Sequence, residues 1–496
     1  MYISLHNRSA YSFGSSLIMP QQLAIFAGYH KMPAVALTDL AGLYAAVPFQ
    51  QMCEEAGVKP IFGAELPVAV QGSHSWGSSD SDGDCIAATL LAMSLQGYGH
   101  LCRLISRHHM EGHPLRLNEL TEGAEGLICI LGSVAVNGCE KGLSHRLHVA
   151  ISRLREAFHD RLYVELAIHR PEDVPVQRKR AQLADELGIP VVATGESRCL
   201  RRDQRLMLRV LSSIGTLTLL EAAHPDKPEG HWHLRSPAEM QRLFHRRPDA
   251  LANTLRIADQ CDVRLDLDHN RFPSYAPTDG RSSMQYLRDL CVAGCRRRYL
   301  EDPPQRGIGG ARPAFDDVLR RLDRELAIID QVHYAEYFLV FHEIVEYCRS
   351  RGIATLARGS AADSLVCYAL GVSHACPFRF DLPFDRFVNP ERAKFSKMAD
   401  IDLDLPWDQR DEVIRWVYTR WGDDRVAMIG ATNTFHARAA VAELGKVFGL
   451  PAHEVHRATK LLPYTSAWKL PEVITRSPEA RDLPAHEEPY RTILAM

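Results

Sequence analysis

Residues 399–408 read ADIDLDLPWD, which puts Asp400, Asp402 and Asp404 at every second position with Ile401 and Leu403 between them. On an extended chain, successive side chains point to opposite faces, so three carboxylates line one face and two aliphatic groups the other. Like charges at that spacing repel one another, so the stretch calls for positive charge nearby. A calcium loop of the D-x-D-x-D-G kind needs glycine at its sixth position, where this chain has Leu405 followed by Pro406. A solvated acidic edge strand leaves the apolar face unexplained, because Ile401 and Leu403 call for packing. In a two-metal phosphoryl-transfer site, same-face carboxylates hold divalent cations about 3.5–4 Å apart that bridge substrate phosphates. Taken alone, the stretch leaves the last two readings level.

The flanking sequence separates them. Upstream, LARGSAADSLVCYALG (356–371) surrounds Arg358 with small residues that let backbone approach a ligand, and Ser360 and Ser364 offer hydroxyls. A helix begins just after, so its free N–H groups can face an anion. The G-K-[ST] ending of a Walker loop is missing. Between this loop and the aspartates, FDLPFDRFVNPERAKFSKMADIDLD supplies Arg386, Arg392, Lys394 and Lys397. A phosphate cradle, a basic approach and an acidic strand, in that order, favour the metal-assisted reading.

The chain as a whole sets bounds. Its 496 residues suit two to four domains, and 46% hydrophobic with 24% charged residues is ordinary for a soluble globular protein. No run approaches the roughly 20 apolar residues of a membrane span, and MYISLHNRSAYSF lacks the pattern of a secretory signal, so no membrane association and a cytoplasmic location are expected. The net charge of −3 argues against coating nucleic acid through bulk charge, but not against a local basic groove. The 12 cysteines include no C-x-x-C, and the closest pair, Cys291 and Cys295, is expected to be buried thiols rather than metal ligands.

Along residues 1 to roughly 270, MPAVALTDL, KPIFGAEL, EGLICILGS, RLYVELAI and IPVVATGES read as strands. VPFQQMCEEAGV and VPVQRKRAQLADELG read as helices, the second stopped by glycine, and QGSHSWGSSDSDGD (71–84) reads as a loop. Alternating strands and helices predict an α/β layer or barrel. NRFPSYAPTDGRSS marks the main boundary, EDPPQRGIGGARPAF is a second loop, and FDDVLRRLDRELAIIDQVHYAEYFLVFHEIVEYCRSRG predicts two helices. The basic run CRRRY (295–299) is read as a solvated helix face.

With these motifs in view, the chain resembles the catalytic subunit of bacterial DNA polymerase III, the C family, from residue 1 to 496 and most strongly over about 320 to 450. ARGSAADSLVCYALG, FDRFVNPER, ADIDLDL and DQRDEVIRWVYTRWG follow that family's order of motifs, and TFHARAAVAELGKVFGLP resembles its next segment, leading into the thumb. The resemblance implies a PHP-type (β/α) barrel-like domain over 1–270, the first part of a nucleotidyltransferase-like palm over 271–432 and a partial helical thumb over 433–496. It implies template-directed DNA synthesis, with Asp402 and Asp404 as ligands of two Mg2+ ions and Asp400 in support. Arg358, Gly359, Ser360, Ser364 and Arg392 are implied to contact the incoming dNTP. Ala357 and Ala399 depart from the family's glycine and proline at those places. Implied partners are primer-template DNA, a proofreading exonuclease subunit at the PHP domain and a sliding clamp through more distal parts.

LHNRSAYSF, VALTDLAGLYAAVPF and GVKPIFGAEL carry the PHP resemblance, with His6, Asp39 and Glu65 at matching metal-ligand positions. Arg8, Leu40 and the GESRC segment, with Glu196 and Arg198, replace other ligands, so this domain is expected to have lost its metal chemistry. His108, His109 and His113 are expected to be surface histidines rather than a replacement site. The family's third catalytic aspartate, its fingers and its OB-type domain are implied beyond YRTILAM at the end of the sequence, and activity from these 496 residues alone is expected to be negligible. A PHP-type phosphoesterase and a non-catalytic partner-binding scaffold are the alternatives.

Overall fold

The computed structural model describes residues 1–70, 85–132, 145–268, 273–302, 313–389, 391 and 399–496. The predicted loop 71–84 and the predicted basic residues Arg392, Lys394 and Lys397 lie outside these residues. The chain forms two compact units, Met1–Leu265 with Asn433–Met496, and Asp266–Thr432. No helix among the described residues is long and apolar enough to cross a membrane.

The first unit is built on one mixed sheet of β1 (Ala34–Leu40), β2 (Lys59–Ala69), β3 (Cys85–Ala92), β4 (Leu115–Arg116), β5 (Leu127–Leu131), β6 (Leu162–Ala167) and β7 (Val191–Thr194). Its order is β1-β2-β3-β5-β6-β7, with β4 pairing β2. β1–β2, β5–β6 and β6–β7 are parallel, and β3 runs antiparallel to both neighbours. Continuous apolar runs such as AVALTDL and LYVELA are buried along almost their whole length, as strands covered on both faces must be. The sequence reading found five of these seven strands and missed β3, whose apolar run CIAATLLA adjoins a polar loop, and the two-residue β4.

The N-terminal segment joins the two ends of this sheet. Ala36 and Thr38 of β1 donate backbone N–H groups to Ser4 and Asn7 (both 2.9 Å), while Ser197, just beyond β7, donates to His6 and accepts from Arg8 (both 3.0 Å). The sheet is thereby closed on itself, the barrel-like α/β arrangement that strand–helix alternation predicts. Residues 433–496 add helices Ala437–Val447 and Ala452–Leu461 to this unit. Leu220 N–H donates to Val447 O at 2.9 Å, and Val210, Leu220 and Val447 are buried together.

The second unit is helical around a short ribbon. Helices Ser283–Arg296, Phe315–Gln331, Ala335–Ser350 and Leu365–Leu370 enclose a core that includes Leu287, Leu322, Phe338 and Leu365. β8 (Leu356–Arg358) and β9 (Asp402–Asp404) form the ribbon. In CRRRY, Arg296 and Arg297 are exposed, while Arg298 lies over the Tyr368 ring at 4.2 Å. Cys291 and Cys295 are buried free thiols, both raised by burial.

Gly294 marks where two of these helices touch backbone to backbone: a Cβ there would overlap the carbonyl oxygen of Ala369. Gly294→Ala is therefore expected to destabilise this unit by about 1–3 kcal/mol. Urea-dependent hydrogen exchange of the Ser283–Arg296 helix measures this, and an unchanged opening free energy would contradict it.

Candidate functional site

The acidic strand is held in place from its apolar side. Ile401 is buried, Leu403 packs on the same core, and Ile401 N–H donates to Tyr337 Oη at 3.0 Å. Beyond the strand, Trp416 of helix Arg410–Trp421 stacks on Tyr347 at 4.2 Å, and Arg351 and Tyr347 both donate to Glu412. The opposite face carries the acids, with Asp400 and Asp402 exposed and Asp404 partly so.

β9 pairs antiparallel with β8 in the register Leu356↔Asp404, Ala357↔Leu403 and Arg358↔Asp402. Two segments some 40 residues apart thus place the basic loop against the acids. Arg358 Nε donates toward Asp404 Oδ2 at 2.7 Å, an ion pair open to solvent. Gly359 follows with φ +65, and a Cβ on it would stand 3.9 Å from Asp402 Oδ2. The backbone therefore turns beside Asp402 in a left-handed conformation that favours glycine. Ser360 is half-exposed on the same turn. Arg386, exposed, lies 3.4 Å from the buried Asp363 carboxylate.

Ser364 departs from its expected place. It is fully buried, its Oγ donates to Glu325 Oε2 at 3.1 Å, and it caps the Leu365–Leu370 helix by accepting from Cys367 N–H. Nor is that helix start free for a ligand. Leu365 and Val366 N–H both donate to Glu325 Oε2 (2.7 and 3.2 Å), while Arg321 Nε donates to Glu325 Oε1 at 3.0 Å. A carboxylate of the chain itself fills the anion position at this helix end, where the sequence reading expected a phosphate. Burial pushes the Glu325 carboxyl up, with Arg321 opposing. Glu325 shares the buried stripe of its helix with Val318, Leu322, Leu326 and Ile329, and an acid on an apolar stripe was the overlooked signal. Arg358, Gly359, Ser360, Asp402 and Asp404 are brought together; Ser364 is not among them, and Arg392 is outside the described residues.

The second cluster lies in the sheet-based unit. The register of β1 on β2 sets Leu40 opposite Glu65, next to Asp39. His6 faces carboxylates from both ring nitrogens, Nδ1 to Glu165 Oε1 at 2.7 Å and Nε2 to Glu65 Oε2 at 3.0 Å. Thr194 Oγ1 also donates to Glu165 Oε1, at 2.5 Å. Arg8 donates from Nε and Nη2 to Glu65 Oε2 (2.9 and 2.6 Å), and Arg198 Nη2 donates to Glu196 Oε1 at 2.6 Å. His169 Nε2 lies 3.4 Å from Glu196 Oε2, and its ring stacks on Trp232 at 3.6 Å. Asp39 stands apart, accepting from Ser9 N–H, Ser9 Oγ and Ser12 Oγ within 2.8 Å.

This buried set neutralises itself with fixed cations. Burial would lower the His6 imidazole, but Glu165 and Glu65 outweigh it and lift it from 6.5 to about 10. Burial would raise Glu65, but Arg8 and then His6 bring it down from 4.5 to about 2. Against burial, Arg198 and then His169 hold Glu196 well below the usual carboxylate range. Glu165, His169 and Trp232 escaped the sequence reading; an acid inside the apolar run LYVELA was the available hint. Among the described residues, no group of three or more His, Cys, Asp or Glu side chains is arranged to hold a metal ion. His108, His109 and His113 do not converge: they bond the carbonyls of His113, Ala41 and Pro114 respectively.

These shifts fix a pH dependence. The raised His6 contributes stability that is whole below pH 6.5 and lost as pH climbs towards 10, and the lowered Glu65 contributes stability whole above 4.5 and lost towards 2. The melting temperature of this unit is thus expected to peak between pH 4.5 and 6.5 and decline on the alkaline side. His6→Gln keeps hydrogen-bonding capacity without a titrating group and is expected to flatten the alkaline limb in thermal melts by circular dichroism. An alkaline limb of unchanged slope in the variant would refute this.

Comparison with known proteins bears on both clusters. Residues 4–169 match the PHP domain, and residues 285–496 match the bacterial DNA polymerase III alpha NTPase domain. The chain is 34% identical to the error-prone DNA polymerase of Symbiobacterium thermophilum, covering 98% of this chain and 45% of that protein. It is 31% identical to DNA polymerase III subunit alpha of Thermus aquaticus (93% and 43%) and 32% identical to that of Bacillus subtilis (96% and 41%). The chain thus spans somewhat under half the length of these relatives. With a PHP domain followed by a polymerase III alpha domain, the chain is homologous over nearly all its length to the bacterial DNA polymerase III alpha subunits and error-prone DNA polymerases, a family of nucleotidyltransferases.

Proposed function

We propose that this chain carries the nucleotide-binding part of a DNA-directed DNA polymerase active site, in which Asp402 and Asp404 hold two Mg2+ ions and Asp400 supports them. The observation that carries the reading is the β8–β9 register, which sets Arg358 and Gly359 beside Asp402 and Asp404. The residues fit such ions: two solvent-accessible carboxylates share one face of a strand, and Mg2+ typically binds through one or two carboxylates together with substrate phosphates. Bound there, the cations would lower the pKa of the attacking primer hydroxyl and steady the departing pyrophosphate.

The chain's own groups do the positioning. Gly359 has no side chain to keep a triphosphate from the backbone beside Asp402. Arg358, paired with Asp404 at the surface, is free of burial and can exchange that carboxylate for a phosphate oxygen, its planar fork suiting either partner. Ser360 adds a hydroxyl to the same turn. Primer-template DNA and dNTP are the proposed substrates. The cluster around His6 is given no hydrolytic part, because Arg8 and Arg198 already supply Glu65 and Glu196 with the positive charge that a phosphoesterase metal would bring.

The test is Mg2+-dependent binding of a fluorescent dNTP, run beside extension of a labelled primer. Asp402→Asn with Asp404→Asn is expected to abolish the Mg2+-dependent component and to lower any extension by about 100-fold or more. Arg358→Ala is expected to weaken dNTP binding by about tenfold, the cost of one charge-assisted contact. If the aspartate variant binds dNTP with the same affinity and the same Mg2+ dependence, the reading falls.

A further inference from the structure

The turn that runs beside Asp402 is short and has two ends. Arg358 belongs to the β8–β9 ladder and Ser364 caps the Leu365–Leu370 helix, so the turn is the five residues Gly359–Asp363 between them. The acidic strand fixes its first end. Two charged side chains of the Phe315–Gln331 helix fix the other. Arg321 and Glu325 stand one helical turn apart, joined from Nε to Oε1 at 3.0 Å. Glu325 Oε2 accepts from Ser364 Oγ at 3.1 Å, Leu365 N–H at 2.7 Å and Val366 N–H at 3.2 Å. Arg321 Nη2 donates to Asp363 O at 3.1 Å and to Leu382 O at 2.6 Å, and its guanidinium lies 5.3 Å from the Phe378 ring. One guanidinium thus ties the end of the turn to the segment that carries Arg386, whose Nη1 stands 3.4 Å from Asp363 Oδ2.

Stability alone does not account for such a pair. Desolvation offsets the attraction between buried charges, so a well-packed apolar pair of the same volume often serves stability equally well. What an apolar pair lacks is direction. Arg321 and Glu325 bond to the carbonyls of residues 363 and 382 and to the amides of 365 and 366, which sets where the chain leaves the turn and in which orientation. The turn has little else to hold it: Ala361 gives the core one buried methyl group, and Gly359, at φ +65, has the backbone freedom to swing the chain away from Asp402.

We propose that Arg321 and Glu325 are positioning residues of the nucleotide site, which hold Gly359 and Ser360 in register for a triphosphate by fixing the far end of their turn. Neither side chain touches the ligand. Only the identity of that ligand rests on the polymerase reading above. Nucleotide affinity therefore depends on the pair, whereas cation affinity at Asp402 and Asp404 does not, because Ile401 and Leu403 anchor the acidic strand separately.

Arg321→Met combined with Glu325→Gln removes both charges together and leaves an amide oxygen to accept from the Leu365 and Val366 N–H groups. With the fold of this variant confirmed by thermal melting, three measurements on the full chain test the assignment. Hydrogen exchange of the amides of residues 359–366 is expected to quicken about tenfold or more, with that of residues 402–404 unchanged. Mg2+-dependent affinity for a fluorescent dNTP is expected to fall about tenfold. Mn2+ affinity without nucleotide, read by electron paramagnetic resonance as the component that Asp402→Asn with Asp404→Asn removes, is expected to stay the same. Parallel losses of dNTP and Mn2+ affinity would mark a general structural role and overturn the proposal, as would unchanged exchange of the turn or unchanged dNTP affinity. If the parent chain binds no dNTP, the polymerase reading fails, and the exchange measurement alone decides whether the pair holds the turn. Should the double variant not fold, Arg321→Lys keeps the charge without the planar fork and is read in the same way.

Discussion

Three carboxylates at alternate positions, two of them on one short strand and the third just before it, repel one another, and the second unit is arranged around that constraint. Ile401 and Leu403 anchor the strand from behind, so the acids cannot turn away from one another into the core, where their desolvation would cost more than their repulsion. Relief comes from across the ribbon: β8 delivers Arg358 to Asp404, and the turn that follows runs beside Asp402. A one-residue slip of either strand would exchange buried for exposed side chains, so the same apolar contacts that bury Ile401 also fix which residue faces which acid.

The loop after β8 is stiffened by a carboxylate that never reaches solvent. Glu325 receives two helix N–H groups, a serine hydroxyl and an arginine, which ties the Phe315–Gln331 helix to the start of Leu365–Leu370. Removing one partner from such a set typically costs about 3–5 kcal/mol, because the remaining charges stay buried. The helix end that a glycine- and serine-rich loop seems to offer to a ligand is thus part of the scaffold. What faces solvent is the turn before it.

The sheet-based unit answers a similar electrostatic demand in another way. Glu65, Glu165 and Glu196 come from strands and strand ends far apart in sequence, and burial makes their charges tolerable only with cations alongside. His6, Arg8 and Arg198 supply those cations from within the chain. Two of the three come from the N-terminal segment that also joins the ends of the sheet, so the charge network and the closure of the sheet depend on the same residues.

Sequence alone determined whatever repeats locally: the buried strands through their apolar runs, the helices through their spacing, and the two faces of ADIDLDL through alternation at period two. The resemblance to the PHP family added the expectation that Arg8 and Arg198 stand where metal ligands would, and the structure sets both guanidinium groups on buried carboxylates. The tertiary structure decided what depends on long-range register. It turned Ser364 inward to Glu325, set Arg358 on Asp404 across 46 positions of chain, and gathered Glu165, His169 and Trp232 around a cavity to which no short motif points. The reason is physical: periodicity reports which side of an element is buried, whereas the partner of a buried charge is chosen by whichever distant segment packs against it.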